Sequence, residues 1–146
     1  LPLSDGWQLQ ARVNGQVSDD ALVPGEQFGL GGANSLRGYE ERELLGDSGM
    51  QGALELVAPE WGIAAGPPGS ALRWLAFVDA GHVRNNLDMP CRETQTACTL
   101  ASVGLGLQLG AGPLQLRLSI ARALRDAART QRGQGRGHVW LSYSFI

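Results

Sequence analysis

The chain contains no lysine, and all twelve of its basic side chains are arginines. Charged residues make up only 18% of the sequence, below the usual quarter, and the formal net charge is −2. Nucleic-acid binding through phosphate contacts depends on an excess of positive charge. The composition therefore excludes an electrostatic nucleic-acid binder.

Long apolar runs are also absent, since none reaches the ~18 residues that a membrane-spanning helix requires. This does not exclude membrane strands, which need only ~9–11 residues and hide their apolar side chains in alternation. The first five residues, Leu-Pro-Leu-Ser-Asp, do not resemble a signal peptide. A protein with membrane strands requires such a signal, so we expect the chain to be a piece of a longer protein.

Cysteine is scarce, with Cys91 and Cys98 separated by six residues in a polar segment. They could form a disulfide that pins an exposed loop in an oxidising compartment, or remain two free thiols. No second CxxC or HxxxH spacing accompanies them, so no metal site is expected. No phosphate-binding loop, nucleophile elbow or catalytic triad is visible, so we predict no cofactor and no enzymatic activity.

Six segments alternate between apolar and polar residues with a period of two, which predicts an all-β fold of antiparallel strands. They span residues 7–18, 50–58, 72–83, 100–109, 114–121 and 138–145. The connections alternate between long (19–48, 84–99 and 122–136) and shorter (62–70 and 110–113). Antiparallel strands place alternate connections at opposite ends, and outer-membrane barrels have long loops at one rim and short turns at the other.

Alternation alone does not distinguish a membrane barrel from a soluble sandwich, because the two have inverted faces. The strand lengths, the small residues Gly104 and Gly106 on the polar face, and aromatic residues near strand ends favour the membrane. In that arrangement Asp79, which lies opposite the row of Trp74 and Val78, points into the lumen.

Four motifs carry a specific resemblance to a known family. They are Glu-Gln-Phe-Gly-Leu-Gly-Gly at 26–32, Leu-Arg-Gly-Tyr at 36–39, Gly-Asp-Ser-Gly at 46–49 and Phe-Val-Asp-Ala-Gly at 77–81. Together they resemble the C-terminal third of two-partner secretion transporters of the haemolysin/filamentous haemagglutinin secretion-activation type. These transporters belong to the superfamily of the barrel-assembly insertase BamA.

The resemblance implies a transmembrane β-barrel of sixteen strands in the Gram-negative outer membrane. Residues 1–146 would be the C-terminal part of the barrel domain, with the last six strands, and the upstream strands and periplasmic domains would precede Leu1. The final strand alternates towards Phe145, as an assembly signal does, but Ile146 departs from the usual terminal aromatic residue.

The resemblance also implies a site. The long loop would enter the lumen, where Arg37 of the Leu36–Arg37–Gly38–Tyr39 motif would pair with Asp79 of the wall strand. The other site residues are expected to support that pair: Gly38 would allow a positive φ at the loop tip, and Tyr39 would pack beside the pair. Phe77 would either pack beside the pair as well or be an ordinary packing residue of the strand. Gly81 would either have a special role or mark an ordinary bulge. Glu55 is either a second partner for Arg37 or an ordinary polar residue of the lumen.

The implied function is export of one large secreted partner, an adhesin or haemolysin, without nucleotide. Other expected partners are outer-membrane lipid, the barrel-assembly machinery and, through two open sheet edges, other copies of the fragment. No nucleic-acid partner is expected. The alternatives are an assembly insertase of the same superfamily and a soluble β-sandwich binding module.

Overall fold

The computed structural model describes residues 1–64, 66 and 68–145. Within these residues, a short 3-10 turn at Ser4–Gly6 precedes nine strands, which are listed next in chain order. They are β1 (Gln8–Gln16), β2 (Phe28–Leu30), β3 (Leu44–Gly46), β4 (Ser48–Val57), β5 (Trp61–Gly62), β6 (Ala71–Arg84), β7 (Ala97–Ala111), β8 (Leu114–Ala123) and β9 (Gly135–Tyr143). Within the described ranges, no helix combines the length and the apolar character needed to span a membrane.

The six long strands form one antiparallel sheet in the order β1-β4-β6-β7-β8-β9. Each long strand pairs with the next long strand in the chain, and β5 adds a short pairing to β6. The predicted all-β antiparallel fold is therefore confirmed. Ile146 lies outside the described residues, as do Ala65 and Pro67 of the predicted turn at 62–70.

The strand boundaries differ from the prediction mainly at β7 and at β9, which runs from Gly135 to Tyr143 rather than over 138–145. The sequence predicts a start at Leu100, but β7 begins at Ala97, and Cys98 and Thr99 already pair with β6. These residues belong to a polar stretch that resembles a loop. Their pairing follows from the length of β6, which extends to Arg84 and offers partners to them.

The two faces of the sheet differ in polarity and in what covers them. Along β6, Phe77 and Asp79 are 2% and 0% exposed, whereas Trp74 and Val78 on the other face are 53% and 50% exposed. We call the first the covered face and the second the open face. The open face carries apolar side chains and the covered face carries charged ones. This distribution is the opposite of that in a soluble sandwich, whose apolar rows meet in a core.

The covered face is covered by the long loop, residues 17–47, which connects β1 to β4 and contains the small sheet of β2 and β3. Apolar side chains of this loop pack with side chains of β6, β7, β8 and the β8–β9 loop. This core contains Phe28, Leu30, Leu36, Tyr39, Leu44, Val83, Cys98, Leu100, Ala123 and Ala127. Burial of these residues gives the long loop a defined position on the sheet.

Candidate functional site

Arg37 at the tip of the long loop binds Asp79 of β6 on the covered face. Its Nε and Nη2 atoms donate to the two carboxylate oxygens at 2.8 and 2.6 Å, and its backbone N–H donates to Oδ2 at 3.1 Å. The planar guanidinium is suited to this two-pronged geometry, which a lysine could not reproduce. The structure thus brings the two residues singled out by the motifs into direct contact, 42 positions apart in sequence.

Glu55 of β4 is a second carboxylate for Arg37. Its Oε1 atom lies 2.7 Å from Nη1 of Arg37 and 3.1 Å from Nη2 of Arg12 on β1. Two arginines and two carboxylates therefore form a cluster with no net formal charge. Arg12 is the one exposed member, since the Arg37, Glu55 and Asp79 side chains are at most 5% exposed.

Phe77 lies beneath the guanidinium, with its ring centroid 3.4 Å from Cζ of Arg37. A cation over an aromatic ring is attracted by the negative face of the ring, and more strongly where water is excluded. Burial opposes the charge on Arg37, but the hydrogen bonds and charges of Asp79 and Glu55 outweigh it and raise the pKa of Arg37. Arg37 therefore remains a cation in its buried position.

The two residues after Arg37 bring the loop close to β7, β8 and β9. Gly38 has φ +97°, and a Cβ atom there would lie 3.2 Å from Cβ of Ala121, so glycine suits both the backbone and the narrow space. Its N–H donates to Nε2 of His138 at 3.3 Å. The Tyr39 hydroxyl lies 2.7 Å from the carbonyl oxygen of Ala101, and burial raises the pKa of Tyr39.

Gly81 of the wall motif and Leu36 of the loop motif meet at a close packing point. A Cβ atom at Gly81 would lie 2.9 Å from Cδ1 of Leu36 and 2.7 Å from Cδ2 of Leu30. The absent side chain of Gly81 therefore makes room for the long loop, in a strand that pairs regularly with its neighbours on both sides.

Glu43 is a site residue that the sequence reasoning missed. Its carboxylate accepts hydrogen bonds from the Thr130 hydroxyl at 2.6 Å and from the backbone N–H groups of Glu40, Arg129 and Thr130 at 2.9, 2.7 and 2.5 Å. Burial raises its pKa, but these hydrogen bonds outweigh that effect and lower the pKa of Glu43. No spacing signal in the sequence links Glu43 to a residue 87 positions away.

Asp47 holds the base of the long loop, just before β4. Its carboxylate accepts hydrogen bonds from the Gln27 side chain at 3.0 Å, the Asn86 N–H at 2.7 Å and the Leu22 N–H at 2.8 Å. These bonds lower the pKa of Asp47. Its own N–H donates to the Asn85 side chain at 3.0 Å. Asp47 therefore joins both ends of the long loop to the β6–β7 loop, residues 85–96.

Cys91 and Cys98 are joined by a disulfide, so no free cysteine occurs in the described part of the chain. The disulfide closes the end of the β6–β7 loop onto the start of β7. No group of three or more His, Cys, Asp or Glu side chains suited to a metal ion occurs among the described residues.

A polar groove of about 650 Å³ adjoins Arg37 on the covered face. One row across four paired strands contributes Arg73, Gln108, Arg117 and Trp140 to its lining. Between this row and the end of the sheet where β6 ends and β7 begins lie the small residues Gly104, Gly106 and Ala121. The covered face thus has a region filled by the long loop and an open groove beside it.

Comparisons with known proteins agree with this architecture. A family model described as "Haemolysin secretion/activation protein ShlB/FhaC/HecB" matches residues 1–109. A curated relative, the outer membrane transporter CdiB of Dickeya dadantii (strain 3937), is 29% identical over 119 residues, which is 82% of this chain and 20% of the relative. The chain therefore spans about a fifth of the length of that relative.

A solved structure, CdiB from Acinetobacter baumannii, shares the fold with a TM-score of 0.73 and 23% identity over 99% of this chain and 25% of that one. The predicted resemblance and the predicted outer-membrane location are confirmed by these matches together. Because the family model matches most of its length, the chain belongs to the haemolysin secretion/activation (ShlB/FhaC/HecB) family of outer-membrane proteins.

Proposed function

We propose that this chain is the C-terminal part of an outer-membrane pore that exports a large partner protein without nucleotide. Residues 1–146 supply the last six strands of a sixteen-stranded barrel domain, whose other strands and periplasmic domains lie upstream. The long loop is the lumen element, and the Arg37–Asp79 pair fixes it to the wall. A relative whose name is outer membrane transporter favours export over the assembly of other barrels.

The polarity of the two faces supports this placement of the sheet. Lipid requires apolar side chains, and the open face presents Leu105 and Ile120 at 57% and 65% exposed together with Trp74 and Val78. The covered face carries the charged cluster and the polar groove, which suit an aqueous lumen. The edge strands β1 and β9 pair with the upstream strands in the complete barrel, since six strands are too few to close a wide pore.

The observation that carries the proposal is the pair of hydrogen bonds from the Arg37 guanidinium to Asp79, with Glu55 as a second partner of Arg37. Removing one member of a buried ion pair costs ~3–5 kcal/mol, because the other charge is left without a partner. A loop held by such contacts has a defined resting position. Displacement of the long loop would widen the lumen next to the groove. We assign the driving force for export to folding of the exported chain outside the cell.

The test is export by the full-length transporter in cells that also express its secreted partner. We expect the single reversals Arg37→Asp and Asp79→Arg each to reduce the amount of partner in the medium, because each places like charges together. The double reversal restores the attraction with the partners exchanged, so we expect it to recover part of the export.

Barrel assembly is checked in each variant by heat-modifiable electrophoretic mobility, so that a loss of export is not a loss of folding. Arg84→Asp is the matched control, since Arg84 is an exposed β6 residue on the open face. The proposal fails if both single reversals export normally, or if the double reversal is no better than the worse single one.

A further inference from the structure

The long loop contacts a second element besides the wall strands, namely the β8–β9 loop, residues 124–134. Glu43 accepts three hydrogen bonds from this loop, from the N–H of Arg129 and from the N–H and hydroxyl of Thr130. Thr130 is 2% exposed and Glu43 is half-buried, so the two bonds from Thr130 are partly shielded from water. Hydrogen bonds to a carboxylate are stronger than neutral ones, and more so in a buried position.

Glu40 adds ion pairs to the same region. Its carboxylate lies 2.8 Å from Nη1 of Arg129 in the β8–β9 loop and 3.4 Å from Nη2 of Arg136 at the start of β9. The Arg129 side chain is 77% exposed, so this pair alone contributes little. The Arg125 N–H donates to the Tyr39 hydroxyl at 3.2 Å. Residues 39–43 are therefore tied to the β8–β9 loop at several points.

The two sets of contacts involve different elements: one involves wall strands and the other involves a loop. Arg37 is held by β4 and β6 through Glu55 and Asp79, whereas Glu43 is held by the β8–β9 loop. Only the Arg37 set was predicted from the sequence. The exposed Arg129 side chain places the second set at the solvent side of the long loop.

We propose that Glu43 is a positioning residue for the Arg37 site and that the β8–β9 loop is a latch that holds the long loop on the covered face. The inference rests on the proposed function, which it deepens: displacement of the long loop requires release of Glu43 from Thr130 as well as release of Arg37 from Asp79. The β8–β9 loop then helps to hold the lumen element in its resting position.

The test uses a thiol reporter beneath the long loop in the full-length transporter, in a background without other free cysteines. Ser102 suits the purpose: it is 0% exposed, lies opposite Asp79 in the register, and its hydroxyl has no hydrogen-bond partner among the described residues. Ser102→Cys is close to isosteric, and the rate at which a maleimide reacts with it reports displacement of the long loop.

We expect Glu43→Gln to raise the labelling rate roughly tenfold or more, because an amide nitrogen cannot accept the hydrogen bonds that the lost oxygen received. Glu41→Gln is the matched control with the same loss of charge in the same loop. Glu41 is exposed, and its carboxylate has no hydrogen-bond or ion-pair partner among the described residues, although its charge acts on His138. We expect it to label at the parent rate.

A second pair of variants keeps Glu43 intact in case Glu43→Gln fails to assemble. Thr130→Val removes only the hydroxyl donor, so we expect a smaller increase in labelling, whereas Thr130→Ser keeps the donor and is expected to label at the parent rate. A general loosening of the β8–β9 loop would not distinguish a hydroxyl from a methyl group in this way.

Arg37→Gln separates the two proposals. If it accelerates labelling while Glu43→Gln, or Thr130→Val where the former does not assemble, matches Glu41→Gln, the latch is refuted and the Arg37–Asp79 pair stands. If neither Arg37→Gln nor Glu43→Gln accelerates labelling, both the latch and the proposed hold of Arg37 on the long loop are refuted. Acceleration by both, with Glu41→Gln at the parent rate, supports the latch.

Discussion

The ring of Phe77 occupies the space that the absent side chain of Gly104 leaves on the paired strand β7. A Cβ atom at Gly104 would overlap Cζ of Phe77 and the carbonyl oxygen of Ile120. The same ring lies 3.4 Å from Cζ of Arg37. Gly104 in the wall thus sets the position of the Phe77 ring, which contacts the guanidinium of Arg37.

The first prediction concerns that glycine. We expect Gly104→Ala to displace Phe77, to accelerate labelling of a thiol at Ser102, and to destabilise the folded barrel by roughly 1–3 kcal/mol, the usual cost of overpacking. Denaturant unfolding and maleimide labelling measure the two effects. The matched control is Gly110→Ala in the same strand, where an added Cβ meets no atom within 4 Å. Equal effects of the two substitutions would contradict the role given to Gly104.

The sequence was sufficient to predict the side of the sheet on which Asp79 lies. Alternation in β6 is strict, so the open position of Trp74 fixes the opposite position of Asp79. The Arg-Gly-Tyr motif then identified Arg37 as its partner through resemblance. The same alternation in β4 predicts that Glu55 lies on this face too. The sequence left open whether Glu55 is a second partner of Arg37 or an ordinary polar residue of the lumen, and in the structure it contacts Arg37.

The sequence was not sufficient for the contacts made between loops. Glu43 and Thr130 are 87 positions apart, and neither lies in a periodic segment. Asp47 belongs to one of the quoted motifs, but its partners come from three separate loop positions. The strands β2 and β3 are three residues each, too short for a period of two to be recognised.

The second prediction is a pH dependence at Asp47. Its pKa is lowered in the folded state, so its contribution to stability is fully present above the ordinary carboxyl pKa of about 3.9 and is lost as pH falls through the lowered value. We therefore expect the difference in unfolding free energy between the parent and Asp47→Asn to be constant from pH 7 to about pH 4 and to shrink below it.

Asp88→Asn is the control for this experiment, because Asp88 is exposed in the β6–β7 loop that Asp47 contacts, and Asn tolerates its φ of 55°. The unfolding free energy of Asp88→Asn is expected to differ little from that of the parent at every pH. A difference for Asp47→Asn that grows as the solution becomes more acidic would contradict the assignment.

The third prediction concerns the disulfide between Cys91 and Cys98. It closes a short loop, for which chain entropy gives a stabilisation of about 2.5 kcal/mol. We expect replacement of both cysteines by serine to lower the unfolding free energy by about this amount. Labelling at Ser102→Cys is expected to rise less than with Arg37→Gln, because Cys98 packs against the long loop but the contacts of Arg37 come from β4 and β6. Acceleration as large as that caused by Arg37→Gln would show that the disulfide also holds the long loop.

The most direct test is a double-mutant cycle between Arg37 and Asp79. The free energy for displacing the long loop is measured from labelling at Ser102→Cys in the parent, Arg37→Gln, Asp79→Asn and the double variant. Residues in direct contact couple by roughly 0.5–3 kcal/mol, and we predict a value of about 2 kcal/mol or more, with the double variant little worse than either single one. Single effects that add within about 0.5 kcal/mol would contradict the claim that this pair holds the loop.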